Sequence, residues 1–321
     1  GRGERDIMLI AHMDTVYPAG MIDDQPFRID GNLAYGLGIS DDKQGVAVIL
    51  HVIAMLRDMG FDEYGTLTVL INGDEEISSP GSRSTITRLA TEHDVVFSVE
   101  PTRMDNDSLS LATSGIGAAT MTVTGRASHA GAAPEQGRNA LYEMAHQMLQ
   151  LRDLSDPETG LKVNWTLAES GTVRNVIPAE AVVTADIRML RQEDFERLES
   201  RIQERIANQL IPDTQVAVTF ENRRPPLTAT EASRSLAAHA QQVYAEMGMT
   251  LVVNDEAEGG GTDAAFAALE TQAPVIERFG LRGFGAHSNN DEYVDLDSVI
   301  PRLYLLSRMI MDVSRGSAPL Q

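Results

Sequence analysis

The sequence predicts an α/β protein built around a mainly parallel sheet, with a second, α+β domain inserted into it. Two observations lead to this fold class. Apolar, strand-like runs alternate with helix-like segments before residue 113 and again after residue 227, which is the pattern of a parallel sheet. Between these parts the order changes to β-α-β-β-α-β, the order of a ferredoxin-like unit. We therefore expect one domain over 1–113 and 227–321 and an inserted domain over 114–226.

Three apolar runs in the first part of the chain predict buried strands. They are IMLIAHM (7–13), GTLTVLIN (65–72) and DVVFSVEP (94–101). A helix is expected over 41–60, because acids at its start and Gly60 at its end suit the two ends of a helix. The nearly continuous apolar character of this segment predicts that the helix is buried.

The predicted insertion consists of four strands and two helices, the second of which is charged and amphipathic. The strands are expected at 115–125, 161–171, 179–190 and 214–221, and the helices at 138–154 and 191–210. The sequence RRPPL (223–227) ends the insertion. Beyond it we expect a helix near 230–247, a strand near 250–254, a glycine-rich helix start in 259–270, a strand at 273–279 and a final helix near 297–313.

The composition excludes several classes of partner. The formal net charge is −21, so nucleic acid and anionic membrane surfaces are poor partners. The chain has no cysteine, so disulfides are excluded and any metal must be held by histidine and carboxylate. No apolar run approaches the length of a membrane span, and we expect a soluble protein. Periplasmic, secreted and cytoplasmic locations all stay open.

Acids and histidines recur at the ends of the predicted strands and in glycine-rich turns. They are His12 and Asp14 in HMDT, Asp41 and Asp42 in GISDDK, Glu75 and Glu76 in GDEE, Glu100 in VEPT, and His287 in GAHS. Each motif alone is usually an ordinary turn. Together they would meet beyond the carboxyl ends of parallel strands, where ligands bind. Clustered carboxylates repel, and burying each unpaired charge costs several kcal/mol, so the set predicts a site for zinc or a similar divalent cation.

These motifs resemble those of a known family. HMDT, GISDDK, GDEE, VEPT and GAHS are similar to the motifs of the M20 co-catalytic zinc metallopeptidases. HMDTVYPAG, LATSGIG, GRASHAGAAPE, NWT, NVIPA, GGGTDAA and GFGAHS resemble in particular its bacterial glutamate carboxypeptidases, of the carboxypeptidase G type. The resemblance spans nearly the whole chain. Such enzymes usually carry a further stretch before the HMDT strand, so we expect the full protein to be longer.

The resemblance implies a centre with two zinc ions per subunit, although other divalent metals stay open. His12 and Glu100 would bind the first ion, and Glu76 and His287 the second. Asp41 would bridge the two ions with both of its carboxylate oxygens.

The same resemblance assigns roles to residues beside the metal ligands. Asp14 lies two residues beyond His12 on a strand, points to the same side, and would hold the histidine ring. The peptide bond between Asp41 and Asp42 is cis in the family. Glu75 would stay off the metal as the general base, taking a proton from the attacking water and passing it to the leaving amine.

The inserted domain resembles the lid and dimerisation domain of these peptidases. His129 would stabilise the oxyanion of the reaction, reaching the partner subunit's site in a homodimer. Asn175 and Arg188 would bind the terminal carboxylate of the substrate, and Arg224 is a weaker candidate of the same kind. Backbone N–H groups at a helix start would also approach the substrate, from Gly260, Gly261 and Thr262.

Three hypotheses of function follow. The first is a di-zinc carboxypeptidase that hydrolyses the amide bond to a C-terminal glutamate in a folate, a peptide or another N-acyl-glutamate. The second is the same chemistry on another N-acyl amino acid or a dipeptide, by an aminoacylase-like amidohydrolase or a dipeptidase. The third is an inactive binding or oligomerisation homologue, and the complete set of ligands together with Glu75 argues against it.

Overall fold

The computed structural model describes residues 1–288 and 291–321, and the chain divides into two compact units. The first unit comprises Gly1–Thr113, Leu227–Glu258 and Thr262–Gln321, and the second comprises Ser114–Pro226 with Gly259–Gly261.

Strands and helices are interspersed along the described part of the chain. The strands are β1 (Ile7–His12), β2 (Arg28–Asp30), β3 (Leu33–Tyr35), β4 (Leu67–Asn72), β5 (Val95–Ser98), β6 (Ser108–Ser110), β7 (Gly115–Thr124), β8 (Ser128–His129), β9 (Lys162–Ser170), β10 (Val176–Ile177), β11 (Glu180–Met189), β12 (Gln215–Arg224), β13 (Val252–Asn254), β14 (Val275–Ile276), β15 (Gly283–Phe284) and β16 (Tyr293–Asp295). The α-helices are α1 (Gln44–Asp58), α2 (Arg83–Ala90), α3 (Ala140–Gln150), α4 (Gln192–Ile206), α5 (Glu231–Glu246), α6 (Ala264–Ala267) and α7 (Val299–Ser314). Among the described residues, no helix combines the length and apolarity needed to cross a lipid bilayer.

The first unit is built on a parallel sheet with the strand order β14-β5-β1-β4. Its strand β1 is buried along its whole length, from Ile7 to His12. Side chains alternate across a strand. Ile7 and Leu9 accordingly pack with α1, α5 and α7, whereas Met8 and Ile10 pack with α2 and α6. Helices therefore cover both faces, and the carboxyl ends of the strands form the edge at which a ligand can bind.

A smaller antiparallel sheet in the same unit has the order β15-β16-β3-β2. Tyr293 of β16 pairs with Tyr35 of β3, so Glu292, directly before β16, lies against the turn that follows β3. The sequence did not predict these strands, because two- and three-residue strands carry no periodic pattern. The remaining described strands of this unit, β6 and β13, form a parallel pair.

The second unit contains an antiparallel sheet with the order β12-β7-β11-β9. Buried and partly exposed residues alternate along β7 and β11, as expected for a sheet with one covered face. Met121 and Val123 of that face pack with Met144 of α3 and with Phe195 and Leu198 of α4. The short strands β8 and β10 pair with each other outside this sheet.

Several elements differ in extent from the sequence prediction. The helix expected over 41–60 begins only at Gln44, because Asp41 (φ −120°, ψ 95°) and Asp42 (φ −130°, ψ 33°) have non-helical backbone angles. The glycine-rich segment 259–270 contains a helix of only four residues, α6. The strand expected at 273–279 is reduced to β14, and the helix α2 was not expected at all.

Candidate metal centre

The histidines and acids singled out in the sequence lie at one edge of the parallel sheet. His12 is the last residue of β1, and Glu100 follows β5 by two residues. Glu76 lies in a short 3₁₀ helix, Glu75–Ile77, that follows β4. Asp41 lies in the turn before α1, and His287 in the loop after β15. The parallel arrangement of β1, β4 and β5 therefore places their carboxyl ends, and the side chains that follow them, close together.

His12, Asp41 and Glu100 form a first group of candidate metal ligands. The Nε2 atom of His12 lies 2.9 Å from Oδ1 of Asp41 and 3.7 Å from Oε1 of Glu100. One ligand atom from each residue lies within 4.8 Å of the others. The side chains of His12, Glu100 and Asp41 are 1%, 11% and 18% exposed, so the group is largely shielded from solvent.

Asp41, Glu76 and His287 form a second group that shares Asp41 with the first. The Nε2 atom of His287 lies 3.1 Å from Oδ2 of Asp41 and 2.9 Å from Oε2 of Glu76. The two oxygens of Asp41 thus belong to different groups. One carboxylate that faces two sets of ligands is the arrangement that two neighbouring cations require.

Electrostatics at this edge favour positive charge. Burial raises the pKa of the Glu100 carboxyl well above its usual range, and the negative charges of Asp41 and Glu75 raise it further. Burial lowers the pKa of His12, but its hydrogen bond with Asp41 and the nearby acids outweigh this and raise it to about 10. Hydrogen bonds with Asp41 and Glu76 raise the pKa of His287 to about 10 as well. The protonated rings of His12 and His287 supply positive charge among these acids. Divalent cations bound by the same nitrogen and oxygen atoms would supply that charge instead. The residues therefore fit a metal centre.

Asp14 connects the first group to the turn after β4. Its Oδ1 atom lies 3.2 Å from Nδ1 of His12, which is the distance of a hydrogen bond from the ring N–H. Nε2 of His12 is then left to bind a cation. The same carboxylate accepts the backbone N–H groups of Glu75 at 3.3 Å and of Glu76 at 3.0 Å. Asp14 therefore fixes both the ring of one ligand and the backbone of another.

Glu75 is buried at the same edge but belongs to neither group of candidate ligands. Its neighbour Asp74, which the sequence left unassigned, accepts the backbone N–H groups of Gly81 at 2.7 Å and Ser82 at 3.2 Å. Asp74 thus holds the turn that leads into α2. The peptide bond between Asp41 and Asp42 is cis, as the family resemblance implied.

Sequence reasoning missed Glu292, which lies directly before β16 and is 1% exposed. Its carboxylate accepts backbone N–H groups of the turn that carries Asp41. The only signal in the sequence is an acid one residue before a short apolar strand, in DEYVDL, and such an acid is usually solvated.

Two of the predicted substrate residues, His129 and Asn175, lie side by side in the second unit. His129 of β8 is exposed and pairs with Val176 of β10. Next to this pair, the carbonyl of Asn175 accepts the N–H of Ala130 at 2.9 Å. Nδ1 of His129 accepts the backbone N–H groups of Gly131 at 3.2 Å and Ala132 at 3.0 Å. An Nδ1 atom that accepts leaves the ring proton on Nε2, so neutral His129 presents an N–H donor.

The two predicted substrate arginines, Arg188 and Arg224, meet at the start of β7. Arg188 of β11 and Arg224 of β12 both pair with Ile116 of β7, one from each side. Arg188 donates to the carbonyl of Gly259 at 3.3 Å and to both carboxylate oxygens of Asp186.

Arg224 and the glycine-rich loop are held tightly in the second unit. Arg224 is 3% exposed and donates to the carbonyl of Gly261. The carbonyl of Gly260 accepts the N–H of Ser114 at 2.8 Å. A Cβ atom on Gly261 would lie 2.7 Å from the Ser114 carbonyl oxygen, so this position requires glycine. The next residue, Thr262, belongs to the first unit and donates its hydroxyl to Glu277.

A parallel sheet whose carboxyl edge carries two groups of candidate cation ligands with a shared aspartate fits the class of metal-dependent enzymes that use two neighbouring cations. The family model described as Peptidase family M20/M25/M40 matches residues 8–312. The chain therefore belongs to this family and is a metallopeptidase of the M20 type.

Named relatives agree with this assignment. The chain is 47% identical to Carboxypeptidase G2 of Pseudomonas sp. (strain RS-16) over 316 residues, which cover 98% of this chain and 76% of that protein. It is 30% identical to a succinyl-diaminopimelate desuccinylase of Stenotrophomonas maltophilia, over 97% of this chain and 86% of that protein. The crystal structure of aminopeptidase PepT from Bacillus cereus has the same fold, with a TM-score of 0.79 at 20% identity, over 98% of this chain and 82% of that one.

Proposed function

We propose that the protein is a di-zinc carboxypeptidase that hydrolyses the amide bond to a C-terminal glutamate in N-acyl-glutamates, peptides or folates. One observation carries the proposal of metal-dependent hydrolysis: two groups of candidate ligands share Asp41, and Glu75 is buried beside them without belonging to either. The preference for glutamate is supported by the 47% identity to Carboxypeptidase G2.

Zinc is the proposed metal, with two ions per subunit. His12, Asp41 and Glu100 would hold one ion, and Asp41, Glu76 and His287 the other. Histidine nitrogen and carboxylate oxygen are ligands that zinc accepts, and the chain offers no thiolate. When bound, a pair of zinc ions polarises a carbonyl and lowers the pKa of a nearby water.

Glu75 is the proposed general base. It lies at the metal edge, and its backbone N–H is fixed by Asp14. Its carboxylate would take a proton from the attacking water and deliver it to the nitrogen of the leaving glutamate. Adjacent Glu76 would meanwhile bind metal, so two consecutive residues of one short 3₁₀ helix divide the two tasks.

The proposed domains are a catalytic domain over 1–113 and 227–321 and a lid and dimerisation domain over 114–226. The division of the chain after Thr113 and after Pro226 supports these bounds. Homodimer formation through the inserted domain is part of the proposal and rests on the family resemblance.

His129, Asn175, Arg188 and Arg224 are the proposed substrate residues of the inserted domain. The tautomer of His129 supports its role, since an Nε2–H donor is what a developing oxyanion requires. Arg188 and Asn175 would bind the terminal carboxylate, since a guanidinium matches a carboxylate with two parallel hydrogen bonds. Arg224 is a weaker candidate of the same kind because it is 3% exposed, whereas the Arg188 side chain is 31% exposed. Backbone N–H groups of Gly260, Gly261 and Thr262 would also approach the substrate.

The test is hydrolysis of matched substrates by the zinc-loaded protein. Methotrexate and N-acyl-glutamates should be cleaved, whereas the same acyl groups on alanine should be cleaved far more slowly. Glu75→Gln, loaded with zinc in the same way, controls for contaminating peptidases. If no N-acyl-glutamate is cleaved by protein that contains two zinc ions, the proposal is wrong.

A second candidate function is hydrolysis of another N-acyl amino acid. The observation that favours it is the 30% identity to a succinyl-diaminopimelate desuccinylase. The same metal centre serves either substrate, so a panel that varies the acyl group and the leaving amino acid separately distinguishes them. A higher kcat/KM for an N-succinyl diamino acid than for every acyl-glutamate would select this candidate.

A further inference from the structure

Glu292 is a buried acid that none of the roles above uses. Its side chain lies in the first unit, where strand pairing of β16 with β3 brings it under the turn between Gly36 and Lys43. The backbone also anchors it there, because the carbonyl of Glu292 accepts the N–H of Gly36 at 3.1 Å. A carboxylate that is 1% exposed costs several kcal/mol unless polar groups surround it.

Three backbone N–H groups of one turn surround this carboxylate. Oε2 accepts the N–H of Gly38 at 2.8 Å, and Oε1 accepts those of Ser40 at 2.7 Å and Asp41 at 3.0 Å. Gly38 has φ of 66°, which lets the turn fold around an anion. The Tyr17 hydroxyl lies near the Glu292 side chain and donates to the carbonyl of Gly285 at 3.5 Å.

The turn that Glu292 holds is the turn that presents Asp41. Asp41 is common to both groups of candidate ligands, and its two oxygens face His12 and His287. A side chain can bridge two cations only if its own backbone is fixed, because a small rotation moves both oxygens at once. The hydrogen bond to the Asp41 N–H supplies that constraint directly.

We propose that Glu292 is a positioning residue of the metal centre, which fixes the Asp41 backbone so that one carboxylate can serve two cations. This inference rests on the proposed function, since it takes Asp41 as the bridging ligand. Glu292 does not touch substrate or metal in this proposal. Partners that orient metal ligands typically change metal affinity by about 10- to 100-fold when they are mutated.

The chain offers a matched control in Glu143. This glutamate of α3 is 0% exposed, and it accepts the backbone N–H groups of Leu210 at 2.9 Å and Ile211 at 2.7 Å. It therefore has the burial and the type of hydrogen bonds of Glu292, but it lies in the second unit, among residues that are not candidate ligands.

The experiment measures zinc affinity of the metal-free full chain by competition with a chromophoric chelator, together with the melting temperature of the metal-free form. Glu292→Gln should lower zinc affinity about 10- to 100-fold for at least one ion. Glu143→Gln should lower the melting temperature and leave zinc affinity unchanged within twofold. A structural role alone would destabilise both variants alike without changing zinc affinity per folded molecule.

A second variant covers the case in which Glu292→Gln does not fold. Glu292→Asp keeps the charge but withdraws it by one methylene, so it should show a smaller loss of zinc affinity than the amide. If Glu292→Gln folds and keeps the wild-type zinc affinity, the proposal is overturned. If only Glu292→Asp folds, wild-type zinc affinity in that variant overturns it. The proposed function stands in either case. Wild-type protein that binds no zinc overturns the proposed function and this inference together.

Discussion

The rings of His12 and His287 face the two different oxygens of a single carboxylate, that of Asp41. The Nε2 of His12 lies 2.9 Å from Oδ1, and the Nε2 of His287 lies 3.1 Å from Oδ2. One histidine ends a buried strand and the other lies in an exposed loop. This difference predicts that the two cation sites differ in strength and can be removed separately.

The weaker site should be lost by removing Glu76. Glu76→Ala deletes a ligand of the group that contains exposed His287, while His12, Asp41 and Glu100 stay in place. We expect zinc content to fall from two ions to one per chain, measured by elemental analysis after dialysis against zinc. Ile77→Ala, which changes an exposed neighbour, should keep both ions. Two ions retained in Glu76→Ala would contradict the assignment of this ligand.

Glu75→Gln should separate chemistry from metal binding. The amide has nearly the shape of the acid but cannot accept the proton of the attacking water, so kcat should fall at least about 100-fold, the lower end of general acid–base contributions. Zinc content should stay that of the wild type, because Glu75 belongs to neither ligand group. A kcat within twofold of the wild type would exclude Glu75 as the base.

Arg188→Ala should weaken substrate binding more than it slows turnover. A hydrogen bond to a charged group contributes about 1.5–3 kcal/mol, so we expect KM for an acyl-glutamate to rise about 10- to 100-fold. If the same carboxylate contact is made in ground and transition states, kcat changes little. Arg191→Ala, which removes a nearby half-exposed arginine that binds Asp194, serves as the control. Equal KM values for both variants would show that Arg188 does not bind the substrate carboxylate.

The stability of the metal-free protein should fall as the pH rises. The pKa values of His12 and His287 are raised from 6.5 to about 10 in the folded state. A raised histidine pKa contributes stability that is complete below 6.5 and lost as the pH passes through about 10. The raised pKa of buried Glu100 acts in the same direction, because its ionisation at higher pH becomes unfavourable.

Melting curves in the presence of a chelator check this prediction. We expect the melting temperature to fall by more than about 3 °C between pH 6.5 and pH 9.5, since about 1 kcal/mol corresponds to about 2–4 °C in domains of 150–250 residues. Zinc binding needs unprotonated rings, so zinc affinity should increase over the same range. A melting temperature that is constant across this range without metal would contradict the assigned protonation.

Local motifs were enough to predict that the candidate ligands His12, Glu76 and Glu100 lie at one edge of the sheet, because each follows a strand whose apolar run is visible in the sequence. His12 at the end of β1 and Glu100 after β5 are examples, and parallel pairing of those strands then brings them together. The long strand β7 was predicted to within one residue for a similar reason, since its buried and exposed positions alternate over the full length. The ligand motifs and the alternating pattern of β7 could be predicted because both depend only on residues that are close in the sequence.

Features that depend on distant partners were missed. Glu292 functions through backbone groups of Gly38, Ser40 and Asp41, which no local pattern connects to it. The small sheet that brings them together has strands of two or three residues, and its central pairing, β16 with β3, joins segments far apart in the chain. The predicted strand 273–279 is shortened for a different reason: Arg278 has φ of 71°, which ends the extended conformation.

The two ligand groups also differ in when they become available during synthesis. Every ligand of the first group precedes residue 101, whereas the second group needs His287, which leaves the ribosome after the whole inserted segment. The three residues of the first group are thus synthesised early, but Glu292, which accepts the backbone N–H of Asp41, is synthesised only after His287. A complete set of candidate ligands for two cations, with Asp41 held in place, therefore exists only in a chain that extends past Glu292.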